Sequence, residues 1–491
     1  MKKVVAIILV MLTGVSAVFS ESAGPDIFDF GPIASRRVNV HGEVEFNALG
    51  PFYQRVQASD GSVYWGLRPF YATLFQQAKN RKTAYYLWPL AYTKLFYEQF
   101  QWRCLLAWGL HGEISNPDSD YYRFRIFPVY YQGRDHEDRF YVGVFPVGGQ
   151  VRDLLFFNRV DFFLFPIWSR WWQSGLQTLN ILWPVYSRST GENVAGEYVH
   201  RYGVFPFYRV SEHEDIYWKK SVLWPFWNWA RYLTPGRSGY SYIVWPLWGR
   251  TRQEHQQGWM FLPPLFRFEW GEGGTLVLCP WPFFRYRHDK NIRYLYIWPL
   301  WGKRDVGEMH TQYLLWPLCW RRQWDKGFVR VRNYQVVPFY IAQTGVRMTR
   351  DGEETDEIIQ RFLKLWPLFS YRREGASRQF RTLELWPFFG TREVDRTWAP
   401  LWTVYAHRAM EDRRETTFLW GLYRSQAVGD RQRYVSLFPL FSWQRDSRCE
   451  EPCREWSLLK GLAGCKTKGD TKTFRLLYFM KFKFGNKETK P

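Results

Sequence analysis

The chain has 491 residues and a formal net charge of +21; 20% of its residues are aromatic and 23% charged. So much apolar surface excludes disorder, and beyond the first twenty residues no segment nears the roughly 20 uninterrupted apolar residues of a membrane-crossing helix. The 27 prolines and 37 glycines run through the whole sequence, which excludes long helices.

Residues 1–20 read as a signal peptide. Lys2 and Lys3 form its basic start, Val4 to Leu12 its apolar stretch, and Val15-Ser16-Ala17 or Val18-Phe19-Ser20 its cleavage site. An exported chain has no genomic partner, and the positive charge is scattered among turns and strand ends instead of forming a phosphate-binding arm. The expected partners are the lipid bilayer and anionic envelope glycolipids, with no nucleic acid.

Residues 21–491 form a single domain of one repeated unit: aliphatic, Trp or Phe, Pro, aliphatic, aromatic, then a small residue and Arg or Lys. In chain order the clearest copies carry Trp88-Pro89, Trp183-Pro184, Trp224-Pro225, Trp245-Pro246, Trp298-Pro299, Trp316-Pro317, Trp366-Pro367, Trp386-Pro387 and Phe438-Pro439. Degenerate copies fill the gaps, with Gly109 and Gly421 at the proline position. About 24 units result, roughly nineteen residues apart. The wider gap between Pro338 and Pro367 holds an acidic insertion, about 343–360, that is expected to be an exposed loop.

Aromatic and β-branched residues bounded by turn residues read as strands. One strand per unit gives an all-β, antiparallel up-and-down meander of about 24 strands. Alternate residues share a face. The proline face is apolar, as in Leu295, Ile297, Pro299 and Trp301, whereas the other face is mixed. This pattern is expected to close as a large outer-membrane-type β-barrel with two aromatic girdles. The basic residues Arg170, Arg188, Arg250, Arg304, Arg322 and Arg392 would then ring both interfaces, and Leu476 to Phe484 would be the closing strand. Proline opposes that reading, because it cannot donate to a strand ladder. The alternative is a soluble layered array of β-hairpins in which Trp-Pro is a corner, and Pro299 to Asp305 pairs with His310 to Trp316.

The pattern resembles a group of exported bacterial proteins built from tandem Leu-Trp-Pro-Leu/Phe repeats, seen here in Phe205-Pro206-Phe207-Tyr208, Trp298-Pro299-Leu300-Trp301 and Leu437-Phe438-Pro439-Leu440. The resemblance covers most of the chain and implies no activity and no site.

Catalytic, cofactor and metal sites are not expected. No nucleophile elbow, His-Glu-x-x-His pair or phosphate loop occurs. Of the six cysteines, Cys449, Cys453 and Cys465 are spaced so that two could form a disulfide. His136 and His213 lie in acidic turns that read as solvated hairpin loops. The expected function is that of an integral outer-membrane β-barrel, a channel or an envelope-assembly or structural part. The alternative is a periplasmic or cell-surface β-repeat scaffold or adhesin-like binder.

Overall fold

The computed structural model describes residues 28–484, apart from 117–118, 155, 194–195 and 448–452. The expected signal peptide and Cys449 therefore lie outside the described residues. The rest is one antiparallel meander of 46 strands, each paired with its neighbours in sequence. Among the described residues the sheet is not closed: β1 (Phe28–Phe30) pairs only with β2 (Ala34–Val38), and β46 (Met480–Phe484) only with β45 (Thr471–Leu476).

Each unit is a hairpin of two strands, not one strand. Around Pro299, β29 (Ile292–Ile297) and β30 (Trp301–Val306) flank the Trp-Pro turn, and β31 (Met309–Leu314) follows across Gly307-Glu308. Val306 lies opposite Met309 and Trp301 opposite Leu314, the pairing expected if Trp-Pro is a corner. Proline therefore never faces a ladder from mid-strand. It occupies the third position of a four-residue turn: Val185 N–H donates to Leu182 O at 2.7 Å and Leu247 N–H to Val244 O at 2.9 Å, each across a cis X–Pro bond. The proline carbonyl accepts from the next unit, as from Trp183 N–H to Pro166 O and Trp316 N–H to Pro299 O, both at 2.8 Å.

A leucine before the aromatic–proline pair permits a longer turn without requiring it, since Leu365 and Leu437 precede three-residue connections. Leu87, Leu164, Leu182, Leu223, Leu262 and Leu315 take positive φ, between 40° and 50°, and add a fourth residue to the connection. The β-branched Ile126, Val144, Val204, Val244, Ile297 and Val336 end their strands before three-residue connections instead. A side chain branched at Cβ is a poor fit to left-handed backbone, whereas Leu branches one carbon further out.

The repeat breaks at two places. The acidic insertion is strand rather than loop: β34 (Tyr340–Met348) and β35 (Glu354–Leu365) extend the hairpin through a bulge, leaving only Thr349 to Glu353 as turn. Between β37 (Ser377–Thr382) and β38 (Tyr405–Met410) the chain instead forms α1 (Arg392–Thr397) and α2 (Ala399–Trp402). Pro387 and Pro400 both fall in this one connection, so two expected units are one. The unit marked at Gly109 is also displaced, since its turn is Leu105-Leu106 and Gly109 lies inside β10 (Ala107–His111). The expected closing strand is itself a hairpin, β45 and β46, joined by Leu477 to Phe479.

The chain exposes 31424 Å², whereas a compact protein of 59.3 kDa would expose about 19,000 Å². Most of the sheet is a single layer. It doubles only where strands near its two ends face each other.

Candidate functional surface: an apolar rim and outer face

In a meander of hairpins, successive connections alternate between the two edges formed by the strand ends. With two strands per unit, every apolar connection falls on the same rim. Leu87 to Leu90, Leu182 to Val185, Leu223 to Phe226, Trp298 to Leu300 and Leu315 to Leu318 all join an odd-numbered strand to the even-numbered strand that follows. The opposite rim carries turns such as Asp135 to Arg139, Glu254-His255, Asp289 to Asn291 and Gly307-Glu308, with Tyr97, Ile114, Phe156, Leu233 and Phe328 as exposed exceptions. The expected pair of aromatic girdles is therefore one girdle. Neighbouring turns touch along it through their rings, with Phe165–Trp183 centroids 5.9 Å apart, Phe205–Trp224 5.5 Å, Phe226–Trp245 5.6 Å and Trp298–Trp316 6.1 Å.

Cross-strand register sorts the strand residues into rows parallel to this rim. The row nearest it on one face includes Ile297, Trp301, Leu314 and Cys319. Followed across the sheet, that row is apolar or aromatic except at Gly148 and Thr382. One residue further from the rim, on the other face, run Asn180, Ser187, Gly203 and Arg209, or Ser370, Arg381, Ala406, Thr417 and Arg424.

The polar face is the inner one. Phe261 and Leu314, in the apolar row, are 48% and 53% exposed, while their inner-face neighbours Met260 and Tyr313 are 7% and 8% exposed. Ser35, Ser169, Asn180, Lys364, Arg424 and Ser436 are all buried on the inner face. The same face also buries an apolar cluster of Tyr131, Tyr141, Val151 and Phe162, so it is mixed, whereas the exposed outer row is apolar.

The outer face also changes with distance from the rim. Its second row mixes aromatic and basic groups in contact: Arg170 lies over Trp168 and Trp172, Lys220 over Tyr208, Arg250 over Trp259 and Arg321 over Tyr334, at 4.6 to 5.8 Å. The third row is rich in arginine, with Arg373, Arg378, Arg414, Arg433, Arg445 and Arg454. At β26 (Phe266–Gly271) and β27 (Thr275–Leu278) this pattern yields to an apolar groove of about 470 Å³, lined by Trp259, Phe261, Phe268, Trp270 and Val277.

The expected basic set divides accordingly. Arg170, Arg188 and Arg250 lie on the outer face and Arg304 and Arg322 on the inner face, while Arg392 begins α1. Of the expected motif residues, Trp88, Trp183, Trp224, Trp245, Trp298, Trp316 and Trp366 with their prolines, and Pro439, occupy rim turns. Trp386 and Pro387 do not. They lie in the helical connection, where Lys364 Nζ donates to Trp386 O at 2.6 Å and to Phe388 O at 2.7 Å. Burial holds the Lys364 ammonium below its ordinary pKa, despite Glu384 nearby.

The polar faces meet where residues 29–88 lie against residues 386–438. Trp398 Nε1 donates to Trp88 O at 2.8 Å, and Arg68 Nε to Arg396 O at 2.7 Å. Deeper in this seam, Arg37 Nη1 lies 2.7 Å from Glu415 Oε1, Arg37 Nη2 3.3 Å from Glu45 Oε1, and Arg424 Nη1 3.1 Å from Asp29 Oδ2. Burial alone would raise the Glu45 and Asp29 carboxyls; Arg37 and Arg408 beside Glu45, and Arg424 and Tyr434 beside Asp29, hold both below the ordinary carboxylate range. A polar cavity of about 190 Å³ opens beside them, lined in part by Arg37, Arg68, Arg381, Arg408 and Arg424. Asp29, Glu45, Glu384, Asp395 and Glu415 pair with Arg37, Arg381 and Arg424, joined at the edge by Lys364 and Arg372. The seam is an ion-paired clasp, and sequence reasoning missed it because pairs such as Arg37 with Glu415 join residues more than 300 apart.

The remaining candidates are local. Cys453 and Cys465 carry free thiols and oppose Lys468 and Trp456, three positions out of register with each other. His136 pairs with Glu113 at 3.0 Å and stacks on Tyr121, while His213 lies 3.0 Å from Glu197. Among the described residues no three His, Cys, Asp or Glu side chains stand where they could hold a metal ion, and no helix is long and apolar enough to cross a membrane. No protein-family model matches the chain, and no curated protein is significantly similar to it.

Proposed function

We propose that the protein is a non-enzymatic β-repeat scaffold of the cell envelope, exported by its leader, whose outer face works in contact with lipid. The segregation of side chains carries this reading. The rim and the first outer row present apolar groups to the surroundings unit after unit, and an exposed apolar surface far larger than the few hundred Å² of an ordinary patch marks an interaction surface. Lipid fits better than a single protein partner, because the apolar row runs from one end of the sheet to the other, interrupted at Gly148 and Thr382, and marks out no one site. A channel is disfavoured: the sheet is open, and its commonest strand of six residues reaches about 20 Å, against the roughly 9–11 residues of a spanning strand.

Membrane fractionation of cells that express the full chain tests the proposal. The protein is expected to sediment with envelope membranes and to need detergent to stay in solution. Recovery of folded protein from a detergent-free soluble fraction would reject it.

A further inference from the structure

The scaffold reading leaves open how the sheet meets a bilayer, and the rows constrain it. From the apolar turns the outer face passes through an aromatic and aliphatic row and a row of aromatic–cation pairs to the arginine-rich third row. The first outer row and the third are four residues apart along each strand, about 14 Å. That is close to half of the roughly 30 Å hydrocarbon core of a bilayer. Among the described residues the opposite rim is mostly polar and charged, and its exposed apolar side chains are scattered instead of forming a continuous band.

We infer that the Leu-Trp-Pro rim enters a single leaflet of an anionic bilayer edge-on, with the outer-face arginines and lysines at the level of the lipid phosphates and the polar rim in water. This rests on the lipid-contact reading above and adds depth, orientation and headgroup charge to it. The polar inner rows are screened from acyl chains by the sheet itself, which curls with that face inward, as the seam shows. Trp and Tyr at the rim and in the first two outer rows have the amphipathic rings favoured at the headgroup boundary. A net charge of +21 and arginines repeated at one depth complement lipids of net negative charge rather than zwitterionic ones.

The experiment uses the full mature chain with vesicles of phosphatidylcholine, alone or with about a third phosphatidylglycerol. Binding is read by flotation and depth by tryptophan quenching with brominated lipids. Two triple tryptophan variants are compared: Trp224, Trp298 and Trp316→Phe at the rim, and Trp172, Trp218 and Trp270→Phe in the third outer row. Two triple arginine variants remove equal charge: Arg188, Arg250 and Arg321→Gln on the outer face, and Arg209, Arg304 and Arg322→Gln on the inner face.

The inference expects binding to anionic vesicles, and a clearly larger loss of quenching in the rim variant than in the other, with the remaining rim tryptophans among the 29 of the chain still quenched. It also expects affinity to fall about tenfold or more in the outer-face arginine variant and less than twofold in the inner-face one. Equal loss of quenching in both tryptophan variants would show a sheet that spans the bilayer, overturning the single-leaflet seat while sparing lipid contact. Equal binding to neutral and anionic vesicles would overturn the headgroup assignment. No binding to either vesicle would overturn the seat and the lipid reading together.

Discussion

The seam and the free wall are built from one repeat, and they use its inner face in opposite ways. In the wall, from β20 (Tyr208–His213) to β31, inner-face Arg209 and Arg304 are exposed, although Met260 and Tyr313 on the same face are buried. In the seam the equivalent rows hold Arg37, Glu45, Glu415 and Arg424 at 2% to 7% exposure. Pairing between adjacent strands is the same in both. Where the opposing layer covers them, inner-face charges that elsewhere reach water are therefore held in ion pairs. Sheet formation needs only neighbours, as in other quasi-one-dimensional repeats, whereas curling needs complementary charges far apart in sequence.

The largest expected effect breaks the seam and leaves the wall intact. Arg37→Met strands Glu45 and Glu415 without their shared guanidinium, and should cost the seam about 3–5 kcal/mol of local stability. Amide exchange in β1 to β3 (Val44–Ala48) would speed up accordingly, and Arg304→Met in the wall would leave exchange almost unchanged. Equal responses would mean that the two regions do not differ as described.

Acid should separate the regions next. Asp29 and Glu45 have native pKa values below the ordinary carboxylate range. Their stabilisation is fully present above the unfolded value of about 4 and is lost as pH falls through the lower native values. Exchange in the seam should therefore rise on acidification below pH about 4 while the wall between β20 and β31 stays protected. Seam protection that is flat across that range would remove the ion pairs from the account.

The smallest effect belongs to the turns and compares their two forms outside the seam. Leu182→Val puts a β-branched residue at a φ of 48° and should cost about 1 kcal/mol. Leu365→Val, at an extended strand end, should cost less. Local exchange around each turn checks the ranking.

The repeat, its antiparallel pairing and its two unlike faces were legible in the sequence, since register and alternation are local properties. The strand count was not. Read as one strand, Leu295 to Trp301 is a continuous apolar alternation; only the turn at Trp298-Pro299, closed by neighbouring backbone groups, divides it. That division also decides the girdles. One strand per unit would have carried the aromatics to both rims, and two strands gather them on one. Gly109 misled because a glycine beside Trp resembles a degenerate Trp-Pro copy, although the turn belongs to Leu105-Leu106. The seam could not be read at all, because nothing near Arg37 points to Glu415.

Two strands per repeat is the claim from which the single apolar rim follows, and a distance measures it directly. Leu300 and Leu368, 55% and 58% exposed, sit in rim turns three units apart. Spin labels at these two sites, in a chain freed of its native cysteines, report their separation by pulsed dipolar spectroscopy. Six intervening strand spacings predict about 29 Å. A separation near 14 Å, the width of three strand spacings, would contradict the account.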